Sequence, residues 1–259
     1  VDFLFKKVFM ENNQYGQEGF NLPHDMVILP SGGKYYKTKK KSVKVGYLTA
    51  ADENILVNAT KNGGEGLIAQ LVRNKMYEPD LKPEDLLEGD LETILIFLRN
   101  SSFGPEYTFN LIDPETGKSF EQTILLEELN FVKPEVEPDS DGNFTTILPK
   151  SGSQVKLKPL TYGDTIELGK LIDNYPKGLV PPTVTWRLQK QIVELNGSRE
   201  LGTIAKSLEQ MPIMDSKYIK NFIERNEPRI DLNREITAPS GRKVLTRITF
   251  GAEFFRPFF

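Results

Sequence analysis

His24 is the only histidine in the 259 residues, and cysteine is absent. Those two facts decide most of the chemistry open to the chain. Without thiols there is no disulfide, thiolate nucleophile or Cys-rich zinc site within it. A Ser-His-Asp arrangement would rest on His24 alone. That residue stands between Pro23 and Asp25, just ahead of a strand pattern and with no nucleophile in view. It reads as an ordinary polar histidine at a strand entrance rather than a base.

Three other stretches could carry chemistry. Asn62-Gly63-Gly64-Glu65-Gly66 has the glycine content of a phosphate-cradling loop but lacks the Gly-Lys-Ser/Thr ending, so it reads as a flexible turn. Asp139-Ser140-Asp141-Gly142-Asn143 resembles part of a calcium loop, but the twelfth position, where a bidentate Glu belongs, is Lys150. A linker turn is the simpler reading. The run over residues 37–44 (Lys37, Lys39, Lys40, Lys41, Lys44) is the one concentrated basic segment. It supports an alternative function as a nucleic-acid-binding module, whose affinity would fall steeply with salt. Against this stand the solvated hairpin tip that such a run usually forms and a net charge of −3, which gives no general attraction to nucleic acid or anionic membranes. Many acids are present, yet no carboxylate pair can be placed in one pocket, which leaves a hydrolase without a site. No catalytic, cofactor-binding or metal-binding residue is assigned, and a non-enzymatic protein is expected.

The termini are the least ordinary feature. Phe3, Phe5 and Phe9 at one end and Phe254, Phe255, Phe258 and Phe259 at the other make seven of the 16 phenylalanines. Burying such a ring is worth roughly 1.5–3 kcal/mol, so exposed arms of this kind are sticky. Either both ends pack onto their own domains or they dock into neighbouring subunits. These seven residues are the candidate partner-binding set.

The elements that must carry these residues occur in two sets. Val27-Ile28-Leu29-Pro30-Ser31-Gly32-Gly33 leads through a Lys-rich turn to Val43-Lys44-Val45-Gly46-Tyr47, and Thr146-Ile147-Leu148-Pro149-Lys150-Ser151-Gly152 leads to Val155-Lys156-Leu157. Each reads as strand, Pro/Gly turn and alternating strand. Thr49 and Thr161 stand at N-cap positions with Asp52 and Asp164 three residues on, the capping-box spacing. Asp90 and Asp215 are each placed to cap a helix with apolar residues at spacings of three and four. A strand-turn-strand follows in both, over residues 107–126 around Asp113-Pro114-Glu115-Thr116-Gly117 and over residues 230–248 around Ala238-Pro239-Ser240-Gly241.

Four matches in the same order predict an α+β fold of two tandem diverged repeats, each a β-hairpin, a helical segment and a second hairpin. The expected division is an N-terminal arm (residues 1–23), unit 1 (24–132), an acidic Pro/Gly-rich linker (133–142) and unit 2 (143–259) with an aromatic C-terminal tail. A hydrophobic share of 38% and a charged share of 27% fit a soluble globular protein. No apolar run approaches a membrane span, and residues 3–9 are too short and charged for a secretory signal. Intracellular placement is expected.

One continuous stretch holds Leu86-Leu87-Glu88-Gly89-Asp90 with Ile94-Leu95-Ile96-Phe97-Leu98-Arg99, then Ser102-Phe103-Gly104-Pro105-Glu106-Tyr107. These runs resemble T4-like bacteriophage baseplate hub and hub-assembly proteins. The opening Leu29-Pro30-Ser31-Gly32 and the ending Glu253-Phe254-Phe255-Arg256-Pro257 share the likeness, which spans most of residues 26–257. Members of that family often carry Cys-Pro-x-Cys-Gly knuckles in the strand-turn-strand. Here the Pro and Gly remain without the cysteines, so each second hairpin is a degenerate zinc-knuckle-like one and metal binding is not carried over. The resemblance implies a structural or assembly component of the hub region of a contractile-tailed phage baseplate, acting by protein-protein docking. Its partners would be other phage tail and baseplate proteins, with no membrane, nucleic acid, small molecule or cofactor. Its place would be the host cytoplasm during assembly, with retention in the virion tail if it is a permanent subunit rather than a chaperone.

Overall fold

A computed structural model describes residues 23–59, 65–250 and 252–255 of the chain. Among them are seven α-helices and eleven short strands in small antiparallel sheets, an α+β fold. The opening hairpin pairs β1 (His24–Ile28) with β2 (Ser42–Gly46). Its alternation works as the sequence implies: Val27, Val43 and Val45 are buried, while Met26 and Lys44 face solvent. Helices α1 (Ala50–Ala59) and α2 (Glu65–Lys75) follow, after which Met76 returns to bridge Val45. Helix α3 (Glu88–Phe103) is buried on every side over residues 94–98, so it forms the axis of the first core. Strands β3 (Glu106–Ile112) and β4 (Ser119–Leu125) form the next hairpin, and β5 (Phe131–Val132) ends this half.

The second half begins with β6 (Phe144–Ile147) and β7 (Gln154–Leu157), followed by α4 (Tyr162–Asp173) and α5 (Thr183–Gln191). Strand β8 (Ile192–Leu195) then joins β7 to complete a three-stranded sheet. Helices α6 (Leu201–Glu209) and α7 (Ile213–Asn226) pack behind it. The chain ends through β9 (Arg229–Ile230), the hairpin of β10 (Asn233–Thr237) and β11 (Lys243–Arg247), and a single 3₁₀ turn (Ala252–Phe255). The capping box expected at Thr161 is complete, and that at Thr49 is half formed. Thr161 accepts from the Asp164 amide at 3.1 Å while its own amide donates to the Asp164 carboxylate at 3.2 Å. The Thr49 amide donates to Asp52 at 2.7 Å, and Asp52 also pairs with the buried Lys75.

Asp90 and Asp215 differ from expectation. Each lies in the first turn of its helix, but neither caps it. The Asp90 carboxylate accepts from the Ser31 amide at 2.9 Å and from the Tyr36 hydroxyl, and Asp215 accepts from the Lys150 and Ser151 amides at 2.7 and 2.9 Å. Both carboxylates therefore clasp the Pro/Gly turn of the preceding hairpin across some 60 residues of chain. Both side chains are fully buried.

Packing does not follow the division expected at residues 133–142. The first core takes in Ile230, Leu232, Ile248, Phe254 and Phe255 from the far end of the chain, whereas the buried residues of the second core all lie within 144–223, with Tyr35 packed against them. Strand β9 pairs with β5 within the first core, and the Tyr162 amide at the start of α4 donates to the Leu86 carbonyl at 2.7 Å, which ties the second half to the first. Gly89 permits the closest of these approaches, since a Cβ there would run into the Pro228 carbonyl and sit 2.6 Å from Arg229 Cα. Replacing Asp215 with Ala removes two charge-assisted hydrogen bonds that hold an exposed turn. It is expected to cost about 1–3 kcal/mol, read as a lower urea midpoint with unchanged slope.

Candidate docking surface

An apolar groove opens on the second half of the molecule, between α4, α5 and the start of α7. Helix α4 buries only Leu168 fully, and along the groove Ile166 is half-buried and Ile172 exposed. Val184 on α5 is 64% exposed, and Ile213, the first residue of α7, is 84% exposed. Ile68 from α2 closes one end. The groove has a volume of about 960 Å³, with Lys217, Lys220 and Arg187 among its lining and no carboxylate. Exposed apolar surface gathered at one concave place marks an interaction site more often than scattered surface leucines do.

Behind the groove, a smaller cavity of about 280 Å³ separates α3 from α7 and is lined by charge: Glu88, Glu92, Glu224 and Glu227 face Arg187, Lys220, Arg229 and Arg247. Burial pushes the Glu92 carboxyl up to about 7 against the pull of Arg247, whose guanidinium lies 3.4 Å away. Burial, aided by Glu88, likewise pushes Glu227 up to about 7. Asp90 is raised to about 6 by burial, which outweighs its donors. At Asp215 burial works in the same direction, but the two amides prevail and hold the carboxyl below its ordinary range. Glu88 and Glu92 from α3 meet Glu224 and Glu227 from the end of α7 around the cavity.

The aromatic termini fare differently from one another. Phe254 and Phe255 are buried, at 1% and 3% exposure, in the first core, which corrects their assignment as residues presented to a partner. The Phe254 ring packs 5.1 Å from Tyr107 and 4.7 Å from Phe250. Its carbonyl accepts from the guanidinium of the buried Arg99 at 3.1 Å, and the same guanidinium holds the Gly104 and Glu106 carbonyls at 2.6 and 2.8 Å. Phe3, Phe5, Phe9, Phe258 and Phe259 lie outside the described residues.

Of the other candidates, His24 opens β1 with its ring edge-on to Tyr77 at 6.0 Å. Within the basic run, Lys40 pairs with Glu78, and Lys39 donates to the Lys34 and Ser140 carbonyls at 2.9 and 2.6 Å. These two lysines serve the fold. Asp139 accepts from the Asp141 and Asn143 amides, both at 2.9 Å, and pairs with Lys156 at 2.8 Å, which makes that acidic stretch a turn. Residues 62–64 lie outside the described set, and Glu65 begins α2. The tips of the two second hairpins meet: the Ser240 hydroxyl and amide donate to the Asp113 carboxylate at 2.7 and 3.1 Å.

The groove itself is absent from the sequence reading. Its signal was the surplus of apolar residues on α4, where Ile166, Leu168, Leu171 and Ile172 exceed what one buried stripe requires. Ile213 and Met214, directly after Pro212, gave the second hint.

A family model described as T4 bacteriophage base plate protein matches residues 24–256. No curated protein and no solved structure matches the chain. Among the described residues no helix is long and apolar enough to cross a membrane.

Two outcomes follow from this geometry. Phe254→Ala empties a fully buried aromatic site, with an expected loss of about 3–5 kcal/mol by denaturation. Between the ordinary carboxylate range and about 7, the folded protein keeps protons on Glu92 and Glu227 that the unfolded chain has released, so these groups make stability fall as pH rises through that window. The double variant Glu92→Gln, Glu227→Gln is expected to flatten the dependence of the urea midpoint between pH 5 and pH 8.

Proposed function

The chain belongs to the T4 bacteriophage base plate protein family, and we propose from that premise that it works in the baseplate hub, by docking on other tail proteins. Membership makes it a viral structural protein of the bacteriophage baseplate. The finer reading is that it is non-enzymatic, assembles in the host cytoplasm and stays in the virion tail. The observation that carries the docking part is the groove, an apolar concavity of about 960 Å³ that no described residue fills. The residues with perturbed carboxyls face balancing cations in the inter-core cavity, an arrangement suited to a structural joint.

The same reading includes an internal duplication. Supporting it, the clasp of Ser31 by Asp90 recurs in the clasp of Lys150 by Asp215. The lone bridge from Met76 to Val45 stands where β8 pairs with β7. Each half then runs through a helix into a second hairpin, and the two hairpin tips, whose Pro/Gly turns have the degenerate knuckle pattern, join through Asp113 and Ser240.

The test is to quantify this chain in purified baseplate intermediates and finished tails. Co-sedimentation with other baseplate proteins in a fixed copy number is expected. Absence from every intermediate and every particle would sink the reading. Deleting residues 1–20 is expected to leave the melting temperature unchanged while abolishing co-assembly; normal assembly of that variant removes the N-terminal arm from the docking surface.

A further inference from the structure

Resting on the docking reading above, we propose that the α4–α5–α7 groove receives an acidic amphipathic helix from a different baseplate protein, crossing α4 at Gly169. Three independent features of the groove specify that occupant.

The first is the nature of its walls. Every lining residue belongs to a helix: α2, α4, α5 or α7. No strand edge borders it, so an extended peptide would find no ladder of amides and carbonyls to pair with. A helix satisfies its own backbone and offers only side chains, which is what a groove between helices can accept.

The second is Gly169. It sits inside α4 at a position where glycine lowers helix stability relative to alanine. A Cβ added there would meet nothing within 4 Å, so no contact within the described fold requires glycine. The notch it leaves opens into the groove, between Ile166 and Ile172 along the same helix face. A missing side chain at an otherwise open position lets a second backbone approach closely.

The third is charge. Lys217 lines the groove, is exposed and makes no ion pair among the described residues, while Lys220 and Arg187, which also line it, are shared with the charged cavity behind. Helices α5 and α7 also begin there, at Thr183 and Ile213, so two positive dipole ends point to the same place. Acidic flanks on the incoming helix answer Lys217 and both dipole ends. A second copy of this groove would bring the same cations face to face, and residues 3–9 of this chain carry Lys6 and Lys7 among their phenylalanines. Like charge disfavours both.

The experiment uses the full-length chain expressed in infected cells in place of the phage's own copy. A photo-cross-linking amino acid at Val184 reports what occupies the groove in isolated baseplates. Gly202→Ala on α6, outside the groove, serves as control, Gly169→Trp fills the notch, and Lys217→Glu reverses the rim. Expected are cross-links to one acidic amphipathic helical segment of another protein, wild-type incorporation of Gly202→Ala, and at least tenfold lower incorporation of both other variants at unchanged melting temperature. Wild-type incorporation of folded Gly169→Trp and of Lys217→Glu would overturn the proposal, as would cross-links to residues 1–22 or to a second copy. If Gly169→Trp fails to fold, Lys217→Glu and the cross-link decide. A wild-type chain missing from baseplates defeats the docking reading instead, so the two failures are told apart.

Discussion

A carboxylate removed from water and held by backbone amides fixes each half of this molecule. Asp90 and Asp215 have no exposure, and each receives hydrogen bonds from the turn of the hairpin that opens its unit. An uncompensated charge at such depth would cost several kcal/mol, so the turn must present its donors and the helix must present its acid at one point. Hairpin, turn and helix become a single rigid piece by that requirement. In the first half the contact is extended by Tyr36, whose hydroxyl donates to Asp90 and accepts from the Leu87 amide at 3.0 Å. The Lys-rich turn and the start of the central helix are thereby held by one phenol.

Onto these two pieces the remaining structure is locked by long-range contacts. Arg99 gathers the carbonyls of Gly104, Glu106 and Phe254, and its guanidinium lies 5.4 Å from the Tyr107 ring and 5.9 Å from the Phe254 ring. A buried guanidinium that finds carbonyls and aromatic faces needs no carboxylate partner. The charged cavity between α3 and α7 is the complementary solution, where acids and bases balance within one polar space. The exterior of the second core lacks such balance at the α4–α5–α7 groove, where apolar side chains and Lys217 are left together.

Local patterns were legible in the sequence because local physics sets them. Period-two alternation in residues 43–47, the Thr161–Asp164 box and the Pro/Gly turns each act within a few residues, and all of them appear where the pattern put them. Asp90 and Asp215 looked like helix caps because an acid in the first turn is ambiguous: it can accept from its own helix or from a distant turn, and only packing decides. The homing of Phe254 and Phe255 to the first core was illegible for the same reason, since a Phe-rich end has the same composition whether it serves its own core or another protein's. Exposure of Ile172, Val184 and Ile213 depends on which helix faces are already covered, which no single window of sequence contains.

The interleaving of the cores also dictates an order of events during synthesis. The second core is built from one uninterrupted stretch, residues 144–223, whereas the first waits for residues 230–255. At roughly 5–20 residues per second a ribosome needs on the order of 6–25 s to travel from Leu129 to Phe254. Through that interval the apolar flanks of α3 lack their covering, while the later-made core can already close. The half of the protein that emerges first is therefore the last to become native, and the nascent chain carries an unfinished hydrophobic face until residues 230–255 are made.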